Sequence, residues 1–419
     1  MSNLKNLTHG VDRLFIKNER FNTTLISVNF YLPLTKRKIA EYSLLSGVMA
    51  SSCKAYPEFL DLNLKQKELY STVIGATSDK VGDVQLIKFY STYLNNDMVL
   101  EDIESKVHKL LLEIIFNPLL ENGGFKESEV SREKRLILEK LKSLINEKRS
   151  YSINKATNEM FKGSPYAINK LGDEADIKEI TERELYEAYL YMLKNAYVRV
   201  QVTAKEYNGS FDDAFLKAIA PFRENKDYSL PISTAKMHNG IKEITETAPI
   251  TQAKLCLCFT SEEPIKSAAV NIFTDILGGG PYSLLFSNVR EKMSLCYYCA
   301  ARNKKNKGFL MVDSGVEQNN ITKAKEQILI ELKKLQKGEF EDELIETSKR
   351  AILEALKSNN DNDMVLDTWY SLRINEELYS PEDLAKQIKA VKKQEIIDIA
   401  NSFKLDTVFT LVPEGENEN

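Results

Sequence analysis

Two spacings of apolar residues run along the chain and predict both strands and helices. The apolar-rich stretch Thr24–Leu32 alternates as expected for a strand. Apolar positions three and four apart between residues 98 and 116 predict a helix. The sequence Thr181-x-x-Glu184 has the form of a capping box and predicts another helix directly after it. We therefore expect a chain of mixed α/β units.

The order of these predicted elements occurs twice. Each half has an early strand, a helix, a pair of strands and two long helices, and ends in a strand near Val198 or Val408. The separation is 408 − 198 = 210 positions in a chain of 419 residues, which predicts a duplicated α/β unit. Residues 224–246 have a composition suited to a linker, since they contain Asn225, Asp227, Pro231, Ser233, Asn239 and Gly240. We expect an N-terminal domain at 1–223 and a C-terminal domain at 247–419.

Composition and charge argue against several classes of protein. A net charge of −4 gives no general attraction to nucleic acid or to an anionic membrane. No apolar run approaches the ~20 residues that span a bilayer, and the first residues lack an apolar signal core. Five cysteines are too few and too clustered for a secreted disulfide framework. We expect a cytoplasmic protein.

The cysteine pairs Cys256-x-Cys258 and Cys296-x-x-Cys299 suggest a zinc site as one hypothesis. Both pairs lie in predicted strands, where positions two apart share a face and positions three apart point to opposite faces. Four thiolates would then not converge on a tetrahedral site. We expect buried free thiols instead, and a metallohydrolase with a Cys/Glu site is the third alternative for function.

The most informative stretch is residues 275–298. An apolar helix is predicted to end in Gly278–Gly280, since residues without Cβ allow positive φ and a sharp chain reversal. Pro281 is expected in the first turn of a second helix, which continues to Arg290. The chain then turns into a strand that begins near Tyr297. Arg290 and Tyr297 therefore flank a helix-to-strand junction, where two polar side chains can converge on one cleft.

This string resembles the pitrilysin/insulinase family of inverted zinc peptidases. In that family a Leu-Gly-Gly-Gly turn precedes Ser-x-Leu-Phe and then Val-Arg-Glu-Lys and Tyr; here the matching residues are Leu277–Gly280, Ser283–Phe286, Val289–Lys292 and Tyr297. The resemblance implies an α+β fold of two homologous α/β domains, each a mostly antiparallel sheet covered by helices, which form one half-shell of a peptidase chamber. It also implies that Arg290 and Tyr297 bind the peptide substrate.

The family's catalytic motif is missing. Active members carry His-x-x-Glu-His, because histidines four apart share a helix face and bind zinc while the glutamate activates water. The chain's histidines are His9, His108 and His238, and no two are four apart. The aligned window, Leu44–Val48, offers neither imidazole nor carboxylate. Glu139 is the nearest match to the third ligand and Glu133 is a second candidate, but without the histidines we expect both to be solvated carboxylates.

We therefore interpret the chain as a catalytically silent subunit of a heterodimeric zinc metallopeptidase that processes peptides, similar to the YmfF-like bacterial members of the family. No catalytic residue, metal ligand or cofactor is expected in this chain, and zinc is expected in a homologous partner subunit. A homodimer is the expectation when the chain is alone, and neither nucleic acid nor membrane is an expected partner. The alternative is a non-enzymatic scaffold or peptide-binding protein with the peptidase fold.

Overall fold

The computed structural model describes residues 2–231, 237–374 and 378–414. The strands are β1 Ser2–Thr8, β2 Val11–Lys17, β3 Thr23–Pro33, β4 Val73–Val81, β5 Val84–Leu94, β6 Leu120–Glu121, β7 Gly124–Phe125, β8 Tyr197–Ala204, β9 Lys242–Ala248, β10 Ala253–Thr260, β11 Cys296–Lys304, β12 Phe309–Val316 and β13 Lys404–Pro413. The helices are α1 Lys36–Ser51, α2 Phe59–Glu68, α3 Ile103–Phe116, α4 Glu127–Ser143, α5 Lys148–Met160, α6 Glu174–Glu179, α7 Glu182–Asn195, α8 Ser210–Ile219, α9 Ala269–Gly278, α10 Ile321–Lys337, α11 Asp342–Ser358, α12 Asp363–Ser371, α13 Pro381–Ala390 and α14 Lys393–Ser402. A π-helical segment spans Leu285–Lys292, and short 3₁₀ turns connect several elements.

The described residues form two compact units, and both are discontinuous in sequence. The first draws on Met1–Lys142, Ile168–Ile232 and Asn359–Ser380; the second draws on Ser143–Ala167, Ser233–Ser358 and Pro381–Asn419. The units therefore do not follow the linear division at 1–223, 224–246 and 247–419. Strand β9 begins inside the predicted linker, and residues 232–236 of that linker lie outside the described residues.

The first unit is built on a six-stranded sheet in the order β1-β2-β8-β3-β5-β4. Only the β2–β8 pair is parallel. Alternation along β3 separates its two faces: Val28 and Phe30 lie in the apolar core with residues of α1, α3 and α7, while Ser27 and Tyr31 point to the other face and hydrogen-bond to α12. One strand thus supplies both the core and a polar face.

The second unit repeats this plan with a five-stranded sheet in the order β11-β12-β10-β13-β9. Here only the β13–β9 pair is parallel. Strands β8 and β13, the two strands 210 positions apart, each lie beside the early strand of their own sheet, β3 and β10. The predicted α+β class, with two mostly antiparallel sheets covered by helices, is confirmed.

One face of each sheet is packed by a helix from the other half of the chain. Helix α12 packs on β3 and β8 of the first sheet, and α5 packs on β10 and β13 of the second. In the second unit the Cys258 thiol lies 3.9 Å from the Ala156 carbonyl oxygen of α5. Sequence patterns did not predict α5 or α12. Helix α5 is mostly polar, with only Ser152, Ala156 and Met160 buried, so its apolar stripe is too narrow to be recognised.

Several local signals have the predicted outcome. The capping box is present, since the Thr181 hydroxyl accepts from the Glu184 backbone and the Glu184 carboxylate accepts from the Thr181 backbone. Helix α10, Ile321–Lys337, is one of the two long helices predicted for the second half. Among the described residues, none of the helices has the length and apolar character that a membrane span requires.

Candidate functional site at the helix-to-strand junction

The glycine run after α9 is required by close packing and not by left-handed backbone. Helix α9 ends at Gly278, and none of Gly278, Gly279 and Gly280 has a positive φ, so that part of the sequence prediction is wrong. A Cβ on Gly278 would lie 2.6 Å from the backbone nitrogen of Ala301 in β11. Glycine is needed here because the helix end approaches the strand at its backbone.

Arg290 is carried by the π-helical segment Leu285–Lys292. The predicted second helix therefore exists, but Pro281 lies in the turn before it and not in its first turn. Such wide turns recur at functional sites. The exposed Arg290 guanidinium lies over the Phe286 ring, 4.5 Å from its centroid. Its N–H groups form no hydrogen bond with other described residues, so this cation–π contact orients the side chain and leaves its donors available.

Tyr297 occupies a bulge in the edge strand β11. The pairing with β12 passes from Cys296 opposite Val316 to Tyr298 opposite Gly315, which leaves Tyr297 as the extra residue. Its side chain is 59% exposed, and its hydroxyl donates to a Glu317 carboxylate oxygen. That hydrogen bond raises the pKa of Tyr297. The residue is therefore presented to solvent as a neutral phenol at the start of the strand.

The charge of Arg290 acts on Cys296, the residue next to Tyr297. The thiol of Cys296, the residue before Tyr297, has a lowered pKa, first because the Cys299 thiol hydrogen-bonds to it and to a smaller extent because of the Arg290 charge. Arg290 and Tyr297 form no hydrogen bond with each other within the described residues. Both side chains are exposed at the predicted junction, and their joint role in substrate binding stays a prediction.

All five cysteines are buried free thiols, as expected from the sequence. The expectation that positions three apart face opposite sides is wrong for Cys296 and Cys299. The bulge at Tyr297 shifts the phase of β11, and the two thiols interact closely enough to affect each other's pKa. Within the described residues no three His, Cys, Asp or Glu side chains come together in a way that could hold a metal ion.

The window that would carry zinc ligands is part of a packed core. Leu44 and Val48 of α1 are both buried in the apolar cluster of the first unit. Gly47 faces Glu133, and a Cβ at Gly47 would overlap that carboxylate. The carboxylate facing the window is thus Glu133, whereas Glu139, the nearest match by sequence, is exposed.

Glu133 is already paired within its own helix. An oxygen of its carboxylate lies 3.2 Å from Arg132 Nη2, and the same arginine nitrogen lies 2.8 Å from Glu129. One arginine-bound carboxylate beside two aliphatic side chains does not match the nitrogen and oxygen donors that zinc requires. The residues present in this window do not fit a zinc ion.

The three histidines are separate and each has its own partner. His108 is buried, as expected of a packing histidine, and its Nε2 lies 2.8 Å from the Tyr93 hydroxyl. Burial lowers the pKa of His108 to about 4. His9 and His238 are each oriented by an oxygen acceptor. His9 Nε2 lies 2.5 Å from the Lys226 carbonyl oxygen, and His238 Nδ1 lies 2.7 Å from the buried Asp406 carboxylate.

Comparisons with known proteins find similarity to the peptidase family that the sequence resembles. Residues 203–352, which include Arg290 and Tyr297, match the family described as the peptidase M16 inactive domain. The chain is 28% identical over 422 residues to "Probable inactive metalloprotease YmfF" of Bacillus subtilis (strain 168), with 98% of each chain covered.

Solved structures share the whole fold. A conserved protein from Enterococcus faecalis V583 matches with a TM-score of 0.91 and 26% identity over 100% of both chains. A peptidase M16 inactive domain from Pseudomonas fluorescens matches with a TM-score of 0.80 and 16% identity, again over 100% of both chains. A protease from Helicobacter pylori has a TM-score of 0.80 and 16% identity over 99% of each chain. The resemblance seen in the sequence is thereby confirmed: residues 203–352 are similar to the peptidase M16 inactive domain, and nearly the whole chain is similar to a probable inactive metalloprotease.

Proposed function

We propose that the chain is the catalytically silent subunit of a heterodimeric zinc metallopeptidase and that Arg290 and Tyr297 bind the peptide substrate. The observation that carries the proposal is Arg290 itself. It is exposed, its N–H donors form no hydrogen bond with other described residues, and it lies in the segment that matches the inactive domain. An unpaired guanidinium held by an aromatic ring is suited to bind a peptide carbonyl.

The two residues have complementary chemistry for such a role. The Arg290 fork carries a full positive charge, and the Tyr297 phenol is a neutral donor and acceptor. Together they suit a peptide carbonyl oxygen that becomes an oxyanion when water attacks it. This chain has no zinc ligands at the aligned window to supply the attack, so the proposed partner is a homologous subunit that carries His-x-x-Glu-His and binds zinc.

The proposed compartment is the cytoplasm. The five cysteines are all free thiols, including the contacting pair Cys296 and Cys299. Free thiols in this number are typical of a reducing compartment.

Mixing with a zinc-bearing homologue tests the proposal. The two purified chains should form a 1:1 complex by light scattering, and peptidase activity should appear only in the mixture. Chelation should abolish that activity, because the zinc is in the partner. The Arg290→Ala variant should still form the complex and should cleave more slowly. A chain that stays monomeric or homodimeric and adds nothing to the partner's activity would contradict the proposal.

The second candidate is a non-enzymatic scaffold or peptide-binding protein. One observation favours it: the Tyr297 hydroxyl already has a partner in Glu317, so this tyrosine is satisfied without a substrate. Under this alternative the chain binds peptide or partner with the same surface, but no mixture with a homologue gains activity.

A further inference from the structure

A second group of polar side chains, which does not include Arg290 or Tyr297, lies on the sheet of the second unit. Asp313 of β12 is 1% exposed, and its two carboxylate oxygens bind two arginines. Arg149 Nε of α5 lies 2.5 Å from one oxygen, and Arg302 Nη2 of β11 lies 2.6 Å from the other. One buried carboxylate therefore fixes two guanidinium groups that come from distant parts of the chain.

An aromatic ring and a lysine complete the group. The Arg149 guanidinium lies 4.2 Å from the centroid of the Tyr298 ring, and Lys254 Nζ lies 5.5 Å from the same centroid. Partial burial, followed by repulsion from Arg149, lowers the pKa of Lys254. The lysine amine donates to Gln252 and forms no ion pair with a described residue. We call Arg149, Arg302, Lys254, Tyr298 and Asp313 the cationic cluster.

The cationic cluster has more positive charge than its own carboxylate neutralises. Arg149, Arg302 and Lys254 carry three positive charges, and Asp313 carries one negative charge, which leaves an excess of two positive charges in the cluster. The adjoining pocket, of about 630 Å³, is lined by Lys148 and Lys254 and also by Glu414. The charges of Lys148 and Glu414 cancel, so the excess remains two positive charges.

The arginines also retain free hydrogen-bonding capacity. Arg149 uses only Nε and Arg302 uses only Nη2 in hydrogen bonds with described residues. Their side chains are 43% and 44% exposed. Asp313 thus holds each guanidinium by one edge, and the remaining N–H groups point away from that bond in the fixed fork that fits a second carboxylate.

We propose that the cationic cluster binds a carboxylate of an acidic peptide, either an Asp or Glu side chain or the peptide's C-terminus. This inference rests on the proposed peptide-binding function and adds the substrate class to it. Asp313 positions the two arginines, Lys254 adds charge at the pocket, and Tyr298 supports Arg149 through its ring. A peptide is favoured over nucleic acid because two excess charges suit one or two carboxylates, whereas nucleic acids require a longer basic surface.

Binding of matched peptides tests the inference. The probes are a fluorescent Gly/Ser-rich peptide with a central run of glutamates and the same peptide with glutamines, each made with a free and with an amidated C-terminus. The full chain is used, alone and in complex with its zinc-bearing partner. A binding carboxylate should give about tenfold tighter binding of the acidic or free-acid peptide, and the difference should shrink as salt is raised. The pair of peptides that shows the difference identifies the source of the carboxylate.

Variants assign the effect to the cationic cluster. The triple variant Arg149→Gln, Arg302→Gln, Asp313→Asn removes both arginines without leaving a buried unpaired carboxylate, and it should reduce binding of the acidic peptide to the level of the neutral one. Lys254→Gln, which breaks no ion pair, should weaken that binding several-fold. Lys333→Gln, an exposed lysine on α10, is the matched control and should change nothing.

The outcomes separate this inference from the proposed function. If acidic and neutral peptides bind equally and Arg290→Ala abolishes the binding of both, the cationic cluster does not bind a carboxylate. The peptide-binding role of Arg290 would then remain intact. Equal binding that is also insensitive to Arg290→Ala would contradict both. A preference for acidic peptide that survives the triple variant would overturn the inference, as would no measurable binding at low salt or tighter binding of a single-stranded oligonucleotide.

Discussion

The Tyr297 hydroxyl donates its hydrogen bond to Glu317, across the bulge at which β11 begins. Glu317 follows the last residue of β12, so the end of one strand holds the side chain at the start of its neighbour. In this position the phenol donates to Glu317 unless a stronger acceptor replaces that carboxylate. A substrate carbonyl that develops negative charge is such an acceptor.

Tyr297→Phe therefore distinguishes a substrate-binding tyrosine from a packed one. In the proposed heterodimer, loss of one oxyanion donor should reduce kcat by ~10²- to 10³-fold. The side chain is exposed, so the thermal stability of the chain should change little. Steady-state kinetics and thermal melts of the same preparations measure both quantities. If kcat stays within a few-fold of the parent complex, the site assignment is wrong.

Glu317→Gln is the matched control for the same hydrogen bond. The amide oxygen still accepts from the phenol but carries no charge, so it competes less well with a substrate oxygen. Turnover should be equal to that of the parent or modestly higher. A loss of turnover as large as that of Tyr297→Phe would mean that the Tyr297–Glu317 hydrogen bond maintains the local structure and that Tyr297 does not donate to substrate.

Arg290→Ala should reduce both substrate affinity and turnover, because a charged fork binds a peptide carbonyl before and during the reaction. The expected signature is a raised KM together with a lowered kcat. Arg290→Lys keeps the charge and loses the fork, so it should recover part of the affinity only. Lys292→Ala, which removes a nearby exposed lysine that contacts Asn288, should behave as the parent. Equal effects of Arg290→Ala and Lys292→Ala would exclude a specific role.

Metal removal should leave the isolated chain unchanged. Leu44 and Val48 have no donor atoms, and the nearby Glu133 carboxylate is paired with Arg132, so we expect no stoichiometric zinc by elemental analysis. A chelator should then leave the unfolding temperature where it was, since no bound ion contributes to stability. One tightly held zinc per chain, with chelator-sensitive proteolysis, would contradict the expectation.

The sequence predicted elements whose pattern is local and regular. Helix α10 is one of the two long helices predicted for the second half, because apolar residues recur there at helical spacing and are buried: Ala324, Ile328, Leu332 and Leu335. Strand β9 and helix α5 were missed because polar residues dominate both, and each is fixed by the neighbour on which it packs. Such tertiary effects leave little signal in a single sequence.

In the candidate site, too, features with a local sequence pattern could be predicted and features that depend on tertiary contacts could not. Arg290 and Tyr297 could be named because the family string contains them. The bulge that exposes Tyr297 could not be predicted from the sequence, since it depends on how β11 pairs with β12. The arginines that share Asp313 are 153 positions apart, 302 − 149, and no local pattern connects them.

Asp367 of α12 should be essential for the stability of the first unit. Its side chain is fully buried and accepts from Ser27 Oγ at 2.6 Å, from Gln201 Nε2 at 2.7 Å and from Lys88. Asp367→Ala would leave the buried Lys88 ammonium without a counter-charge, a change that costs about 3–5 kcal/mol. Urea unfolding followed by circular dichroism measures it.

The double variant Lys88→Met, Asp367→Leu is the control for charge burial. It replaces the ion pair with apolar side chains, so its loss of unfolding free energy should be clearly smaller than that of Asp367→Ala. If the single variant is as stable as the parent, α12 does not depend on this ion pair. If both variants lose equally, the hydrogen bonds from Ser27 and Gln201 matter more than the charge of Lys88.

His108 should make the folded chain less stable in mild acid. Burial lowers its pKa from 6.5 to about 4, an effect that the Asp102 charge only partly opposes. Below about pH 6.5 the unfolded chain gains a proton that the folded chain does not take up, so the free energy of unfolding falls as the pH drops from 6.5 towards 4. A shift of this size corresponds to about 3 kcal/mol at the end of that window.

The variant His108→Gln removes this titration and keeps an acceptor for the Tyr93 hydroxyl, which lies 2.8 Å from His108 Nε2 in the parent. It is expected to be less stable than the parent at pH 7, because the imidazole also packs against the Phe211 ring at 5.2 Å. The gap between the two chains should then narrow as the pH falls through the window, since only the parent loses the His108 contribution. Urea melts of both chains at matched pH values provide the measurement. Curves that run parallel from pH 7 to pH 4 would mean that His108 takes up its proton in the folded chain as readily as in the unfolded one.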